Sequence, residues 1–174
     1  LFGFCFSHSY VLFGFIVKIF SRALNSLMKI RIMTKEEILG LYNKGNKNTL
    51  METLEIKYTD VSLDPPMLKA TMPVNPRVHQ PAGLLHGGAT AALAESLGSA
   101  SSFMLIDREK FSVVGIELSC NHVRSKTDGV VEATATVIHQ GRSTHLWEIE
   151  VKDEAGKLIS HCKLTNMVIP KRKQ

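Results

Sequence analysis

The sequence predicts an α+β domain: an antiparallel sheet of about six strands curled around one long helix. Three observations predict it. Between residues 80 and 102 a loop and a glycine-marked turn feed a single helical pattern of roughly 16 to 18 residues. Period-two alternation of apolar and polar residues marks two segments before that helix and four after it. Gly, Pro, Asn or Asp punctuates almost every junction between them. At 174 residues the chain is one domain with a short extension, long enough to bury a core without disulfides or metals.

The N-terminal stretch Leu1 to Phe20, LFGFCFSHSYVLFGFIVKIF, is strongly apolar. About 20 such residues can span a bilayer. Here His8 and Lys18 interrupt the run, and no basic segment precedes it as a secretory signal requires. Met28 and Met33 stand just before a clean helix start. Residues 1–32 are therefore expected outside the fold, as upstream translated sequence or a disordered tail. The alternative is a membrane anchor whose basic flank stays in the cytoplasm. The domain is expected over 33–170, with a basic tail over 171–174.

Thr34-Lys35-Glu36-Glu37 reads as a capping box. It opens a short helix through Leu41, which Asn43, Gly45, Asn46 and Asn48 end. From Thr49 the period becomes two: Leu54, Ile56 and Tyr58 alternate with Glu55, Lys57 and Thr59, a strand with one buried face. Asp64-Pro65-Pro66 turns the chain into a second strand, Met67 to Val74, which Asn75-Pro76 breaks. The long helix follows the loop Arg77 to Leu85. After the polar loop Asp107 to Lys110, strands are expected at Val113 to Val123, Val130 to His139, Leu146 to Lys152 and Leu158 to Ile169. Asp128-Gly129 and Glu154-Ala155-Gly156-Lys157 supply their turns.

Composition excludes several functions. Three cysteines, Cys5, Cys120 and Cys162, with no CxxC pair, form neither a disulfide framework nor a zinc ribbon. A reducing cytoplasm is the simplest setting. The net charge of +5 is concentrated at the ends: residues before Met33 and after Pro170 hold seven of the 21 basic residues and none of the 16 acids. The body carries 14 basic against 16 acidic groups, and no basic stripe is interleaved with aromatics, so nucleic acid is not an expected partner.

The long helix carries the chemistry. Leu93, Leu97, Ala100 and Met104 share one face and form its core stripe. The other face holds Gly88, Ala91, Ala92, Glu95, Ser99 and Ser102. A solvated face would hold several long polar side chains; this one holds one acid among very small residues. It is expected to be covered, by sheet or by a second subunit. Glu95 and Ser99 are four apart and therefore neighbours. A carboxylate held there suits a nucleophile or general base, although an isolated glutamate on a helix is most often simply exposed. His86-Gly87-Gly88 opens the helix, where first-turn amides lack intrahelical partners and the dipole favours negative charge. Glycine also lets a ligand approach the backbone. The turn reads either as a plain glycine turn or as an oxyanion site. No GxSxG elbow, GxGxxG or P-loop is present.

Three segments, QPAGLLHGGATAALAESLGS, VVGIELSCNHVRS and GRSTHLWEIEV, together resemble the hotdog-fold acyl-CoA thioesterases. The similar type has a glutamate on the central helix as its catalytic acid. It includes 4-hydroxybenzoyl-CoA thioesterase and the 1,4-dihydroxy-2-naphthoyl-CoA hydrolase of menaquinone synthesis, the latter the nearer. The resemblance covers roughly 34–169. It implies the hotdog fold and hydrolysis of an aromatic acyl-CoA, with coenzyme A as part of the substrate and neither metal nor prosthetic group. It implies that Glu95 attacks the thioester carbonyl or activates water for that attack. The Gly87 amide would hold the oxyanion with His86 beside it, Gln80 would contact the thioester region, and Ser99 would lie near the attacking group. His122, Arg124 and Ser125 would hold the CoA arm or its phosphates, and Gly141, Arg142 and Ser143 occupy the place of a nucleotide-binding loop. On their own, Arg124 and Arg142 read equally as solvated strand-end charges and His122 as a satisfied core histidine. Arginine forks do bind phosphates well. The resemblance further implies a homodimer whose sheets continue across the interface, with dimers pairing into tetramers, and Glu95 of one chain acting on CoA held by the other. Outside this activity stand a non-hydrolytic acyl-CoA binding module and a dehydratase; the dehydratase would need a catalytic His/Asp arrangement that the sequence lacks. Thioesterases for other aryl or medium-chain acyl-CoAs remain within the same chemistry.

Overall fold

The computed structural model describes residues 33–171. The expectations for residues 1–32 and for the end of the tail lie outside them. The element order is α1 (Lys35–Gly45), α2 (Leu50–Thr53), β1 (Lys57–Leu63), β2 (Pro66–Pro73), a 3-10 turn (Pro76–Val78), α3 (Gly87–Phe103), β3 (Phe111–His122), β4 (Val130–Gln140), β5 (Thr144–Asp153) and β6 (Leu158–Pro170). The strands form one antiparallel sheet in the order β1-β2-β4-β5-β6-β3. α3, 17 residues long, packs against β2, β3, β4, β5 and β6 alike. The sheet thus wraps the helix, as the α+β expectation requires.

Alternation builds the core. Leu68, Ala70 and Met72 of β2, Val131, Ala133 and Ala135 of β4, Trp147, Ile149 and Val151 of β5 and Leu164 of β6 are fully buried against Leu93 and Leu97 of α3. Each large side chain so buried contributes roughly 1.5–3 kcal/mol. Gly98 lets β6 approach the helix: a Cβ there would lie 2.5 Å from Leu164 Cδ2. A buried polar tie crosses the same contact. Trp147 Nε1 donates to Ser102 Oγ (2.7 Å), and Asn166 Nδ2 donates to Ser102 Oγ (2.8 Å) and to the Gly98 carbonyl (3.0 Å). Ser102 therefore belongs to the core side of α3 and not, as its position on the small-residue face suggested, beside Glu95.

Three other expectations change. The strand expected from Thr49 begins only at Lys57, because local side-chain bonds win over the alternating pattern. Glu52 accepts the Asn48 amide (2.6 Å), Thr49 Oγ1 donates to the Asn46 carbonyl (2.6 Å), and residues 50–53 close into α2. Glu55 then takes a left-handed turn (φ 54°) into β1. α1 runs one turn past Leu41, to Gly45. Asn43, read as a helix breaker, instead clamps β1: its Nδ2 donates to the Tyr58 carbonyl (2.9 Å) and its Oδ1 accepts the Tyr58 amide (2.8 Å). In β3 a bulge between Gly115 and Glu117 interrupts the alternation. Val114, before the bulge, and Ile116, within it, are exposed (40% and 51%) on a strand at the sheet's edge.

Candidate active site

Two features organise the site: the entrance to α3 and the strand end that faces it. The loop from Gln80 folds back through Gly83, whose φ of 75° favours glycine. The Gln80 amide donates to the Leu84 carbonyl (2.8 Å) and the Gly83 amide to the Gln80 carbonyl (2.9 Å). The His86 amide donates to the Val78 carbonyl (2.9 Å), and the Leu85 amide to the Lys126 carbonyl (2.7 Å), which pins the loop to the segment after β3. His86 caps α3: its Nδ1 accepts the Gly88 amide (2.8 Å) and so carries no proton in this arrangement. The adjacent Gly87 amide has no hydrogen-bond partner among the described residues. It is a first-turn donor left for a ligand.

His122 closes this entrance from the sheet. Its Nε2 lies where a Gly87 Cβ would come within 2.7 Å, so any side chain there would have to push the ring aside. Its Nδ1 meets the buried Ser160 hydroxyl (3.1 Å), which also donates to the Asn121 carbonyl (3.2 Å). The chain leaves β3 with the Val123 and Arg124 amides both donating to the Ile159 carbonyl (2.9 and 3.2 Å). The result is a cleft of about 360 Å³ that brings together Gln80, Gly87, His122, Arg124 and Ser125. His86 stands at its edge as the cap of the same helix.

Glu95 lies two helical turns further along α3 and is half-buried. Its carboxylate rests against Gly115 in β3, where a side chain would occupy the position of Oε1. Gly115 is a site residue the sequence reading missed; a glycine flanked by the β-branched Val113, Val114 and Ile116 in a strand was the available signal. Cys120 is the other potential nucleophile nearby. Burial above all, then a hydrogen bond with Cys162 and the charges of Glu95 and Glu117, pushes its thiol up to about 12. It stays protonated and does not compete with the carboxylate.

The remaining residues fall elsewhere. Ser99 makes no hydrogen bond to Glu95 among the described residues; it lines a second recess with Ser96, Ala100 and Phe103. Gly141, Arg142 and Ser143 occupy the β4–β5 turn, where the Ser143 carbonyl accepts the Val168 amide (2.9 Å). Arg124 is bonded to Ile159, nine positions away on β6, a span of about 30 Å at the strand rise. A single chain does not bring these two loops together. Among the described residues no group of three or more His, Cys, Asp or Glu side chains is placed to hold a metal ion. No helix among them is long and apolar enough to cross a membrane.

Residues 82–160, which span the α3 entrance and the strands behind it, match the model of the thioesterase superfamily. The proofreading thioesterase EntH of Cronobacter turicensis is 43% identical over 138 residues, which cover 79% of this chain and 98% of EntH. A crystallised thioesterase of Pseudomonas aeruginosa superposes with a TM-score of 0.75 at 40% identity, over 81% of this chain and 98% of that one. A crystallised thioesterase of Staphylococcus aureus superposes with a TM-score of 0.67 at 40% identity, over 70% of this chain and 98% of that one. By these matches and by its helix-wrapping sheet, the chain belongs to the hotdog thioesterase superfamily and is a thioester hydrolase.

Proposed function

We propose that this protein hydrolyses an aromatic acyl-CoA to the free acid and coenzyme A, with 1,4-dihydroxy-2-naphthoyl-CoA of menaquinone synthesis as its substrate. The observation that carries the reading is the Glu95 carboxylate, seated on glycine backbone in the middle of an otherwise small-faced helix. It attacks the thioester carbonyl, or takes a proton from a water that does. Either way, one water is consumed, the C–S bond breaks, and the proton leaves on the thiol. The free Gly87 amide and the α3 dipole stabilise the charge that develops on the carbonyl oxygen. Gln80 borders that position. His122, Arg124 and Ser125 hold the CoA arm, where arginine suits phosphate. Spacing supports the pair: the S. aureus protein was crystallised in one form with a glutamine and in another with a glutamate replaced by alanine, fifteen positions apart, as Gln80 and Glu95 are.

The active unit is a homodimer in this reading. Glu95 follows Gly87 by eight residues, about 12 Å along the helix. A carbonyl carbon under attack and its oxyanion donor need to be about 3 Å from the reacting atoms. One chain therefore cannot supply both to one thioester. β3 is an edge strand with unpaired backbone groups and exposed apolar side chains. Pairing two copies through it, about a twofold axis, sets Glu95 of one chain against Gly87 of the other. It also covers the small-residue face and allows Gly141, Arg142 and Ser143 to serve CoA bound by the neighbouring chain. Two such dimers pair into a tetramer. Coenzyme A enters only as part of the substrate, in the cytoplasm.

Thiol release from a panel of aryl and medium-chain acyl-CoAs, by wild type and Glu95→Gln, tests the reading. The variant is expected to lose activity by about 10²–10⁴-fold on every substrate. Equal rates would remove Glu95 from the chemistry. Binding without turnover by wild type would favour a non-hydrolytic acyl-CoA module.

A further inference from the structure

The second recess on α3 is a cavity of about 460 Å³ between α1, β1 and the C-terminal half of α3. We infer that it receives the acyl group and selects acyl groups bearing an oxygen acceptor, a hydroxyl or carboxylate, at the end remote from the thioester, through the Tyr58 hydroxyl and the Arg108 guanidinium. The inference rests on the thioesterase reading for the position of the thioester at Glu95.

Position comes first. Ser99 follows Glu95 by one helical turn and Phe103 by two, and both line the cavity. The cavity therefore extends away from the carboxylate along the helix. Most of its wall is apolar, with Leu41, Met51, Ala100 and Phe103 among the lining, and no carboxylate contributes to it.

Chemistry comes second. Tyr58 lines the cavity, is only 3% exposed, and its hydroxyl has no hydrogen-bond partner among the described residues. Its backbone is fixed by Asn43 and its ring packs edge-on against Tyr42 at 5.3 Å. Its oxygen is not among the buried atoms left without a partner, so it opens on the cavity, where an oxygen of a bound acyl group can accept from it in place of water. The neighbouring Tyr42 is already satisfied: its hydroxyl donates to the Ala100 carbonyl (3.1 Å) and accepts from Arg108 Nη2 (2.7 Å). Burial, with a smaller contribution from Tyr42, pushes the Tyr58 phenol up to about 12, so it remains a donor.

Arg108 completes the far end. Its Nε donates to the Phe103 carbonyl (3.0 Å), and its guanidinium lies over the Tyr42 ring at 5.5 Å. With one further N–H on Tyr42, three of its five donors remain for a ligand. It has no ion pair with a carboxylate among the described residues. A donor-rich, carboxylate-free end on an apolar slot matches an acyl group with an oxygen at its tip.

The test uses pairs of acyl-CoAs identical except for the distal oxygen: benzoyl-CoA against 4-hydroxybenzoyl-CoA and 4-carboxybenzoyl-CoA. Wild type is expected to favour the oxygenated member of each pair by about tenfold in kcat/KM, the value of one hydrogen bond of this kind. Tyr58→Phe is expected to bring the 4-hydroxy ratio close to one, and Arg108→Gln the 4-carboxy ratio. A wild-type ratio of one or less, or variants that lower both members of a pair equally, overturns the inference. The same pairs as non-hydrolysable thioethers, titrated by calorimetry, separate it from the thioesterase reading. A preference for the oxygenated thioether in a wild type that hydrolyses nothing would sink the catalytic reading and keep the cavity assignment.

Discussion

Two recesses open along α3, and they are built on different principles. The cleft at its first turn, about 360 Å³, is assembled from backbone amides and polar side chains: the Gly87 amide, Gln80, His122, Arg124 and Ser125. The cavity along its second half, about 460 Å³, is assembled from apolar walls with Tyr58 and Arg108 at one end. Glu95 lies on the helix between them. Under the proposed function the cleft receives what every CoA thioester shares, a carbonyl oxygen and a phosphate-bearing arm, and the cavity receives what distinguishes one acyl group from another. Substitutions in the cleft should therefore act on all substrates alike, and substitutions in the cavity should act by acyl group. The largest effects should come from the junction at Glu95.

Gly115 is the sharpest probe of that junction. A methyl group there falls on Glu95 Oε1, so Gly115→Ala must displace the carboxylate. A misplacement of about 1 Å at a reacting group costs roughly 10²-fold. Gly115→Ala is expected to lower kcat by about that factor for every acyl-CoA, with its melting temperature close to wild type because the only atoms that must give way belong to the Glu95 side chain. Selective loss with one acyl group would move Gly115 from the junction to the cavity side.

Gly87→Ala acts on the cleft alone. Its Cβ would lie 2.7 Å from His122 Nε2, so the ring has to shift away from the helix entrance. The amide itself remains. The expected result is a fall of about tenfold in kcat/KM, comparable to one charge-assisted contact, and equal across the substrate panel. An effect confined to bulky acyl groups would mean that the acyl group, rather than the CoA arm, passes His122.

The two recesses also differed in how far the sequence revealed them. The cleft was legible because its residues come from two short contiguous motifs, QPAGLLHGG and NHVRS, whose spacing alone places a donor-rich turn before a helix. The long helix and all six strands followed from period, and the small-residue face suggested a cover for Glu95, which β3 supplies at Gly115. The cavity was not legible. Its walls come from residues 41 to 108, types that any core would contain, and its shape depends on α1 running on to Gly45 and on Asn43 bonding to β1. Both were hidden because asparagine reads locally as a breaker, while its cross-element bonds are tertiary. Gly115 was missed for a related reason: the space it leaves has meaning only once Glu95 points into it. Ser102 was misassigned because helical angle alone does not reveal that Trp147 and Asn166 reach across from the sheet to bond it.

The smallest expected effect concerns how the cleft is held. Lys126, beyond Arg124 and Ser125, anchors the α3 entrance through its carbonyl, which accepts the Leu85 amide. Its Nζ in turn pairs with Glu154 in the β5–β6 turn (2.6 Å), and Glu154 Oε1 accepts the Val130 amide (2.5 Å). The Lys126 hydrogen bond first, then backbone amides including that of Val130, hold the Glu154 carboxyl down to about 2 from an ordinary 4.5. A carboxyl whose folded pKa lies below its unfolded one stabilises the fold fully above the unfolded value and loses that contribution as pH falls through the folded one. The window is therefore between about 4.5 and about 2. The difference in melting temperature between wild type and Glu154→Gln should be constant above pH 5 and shrink steadily on acidification through this window. It should be small, and smaller still in high salt, because the Glu154 carboxylate is exposed to solvent. At neutral pH the same variant should raise KM no more than a few-fold for every CoA thioester and leave kcat unchanged. A melting difference that does not change with pH would detach the carboxylate from this role. A fall in kcat would mean that the anchor positions the Gly87 amide as well as the CoA arm.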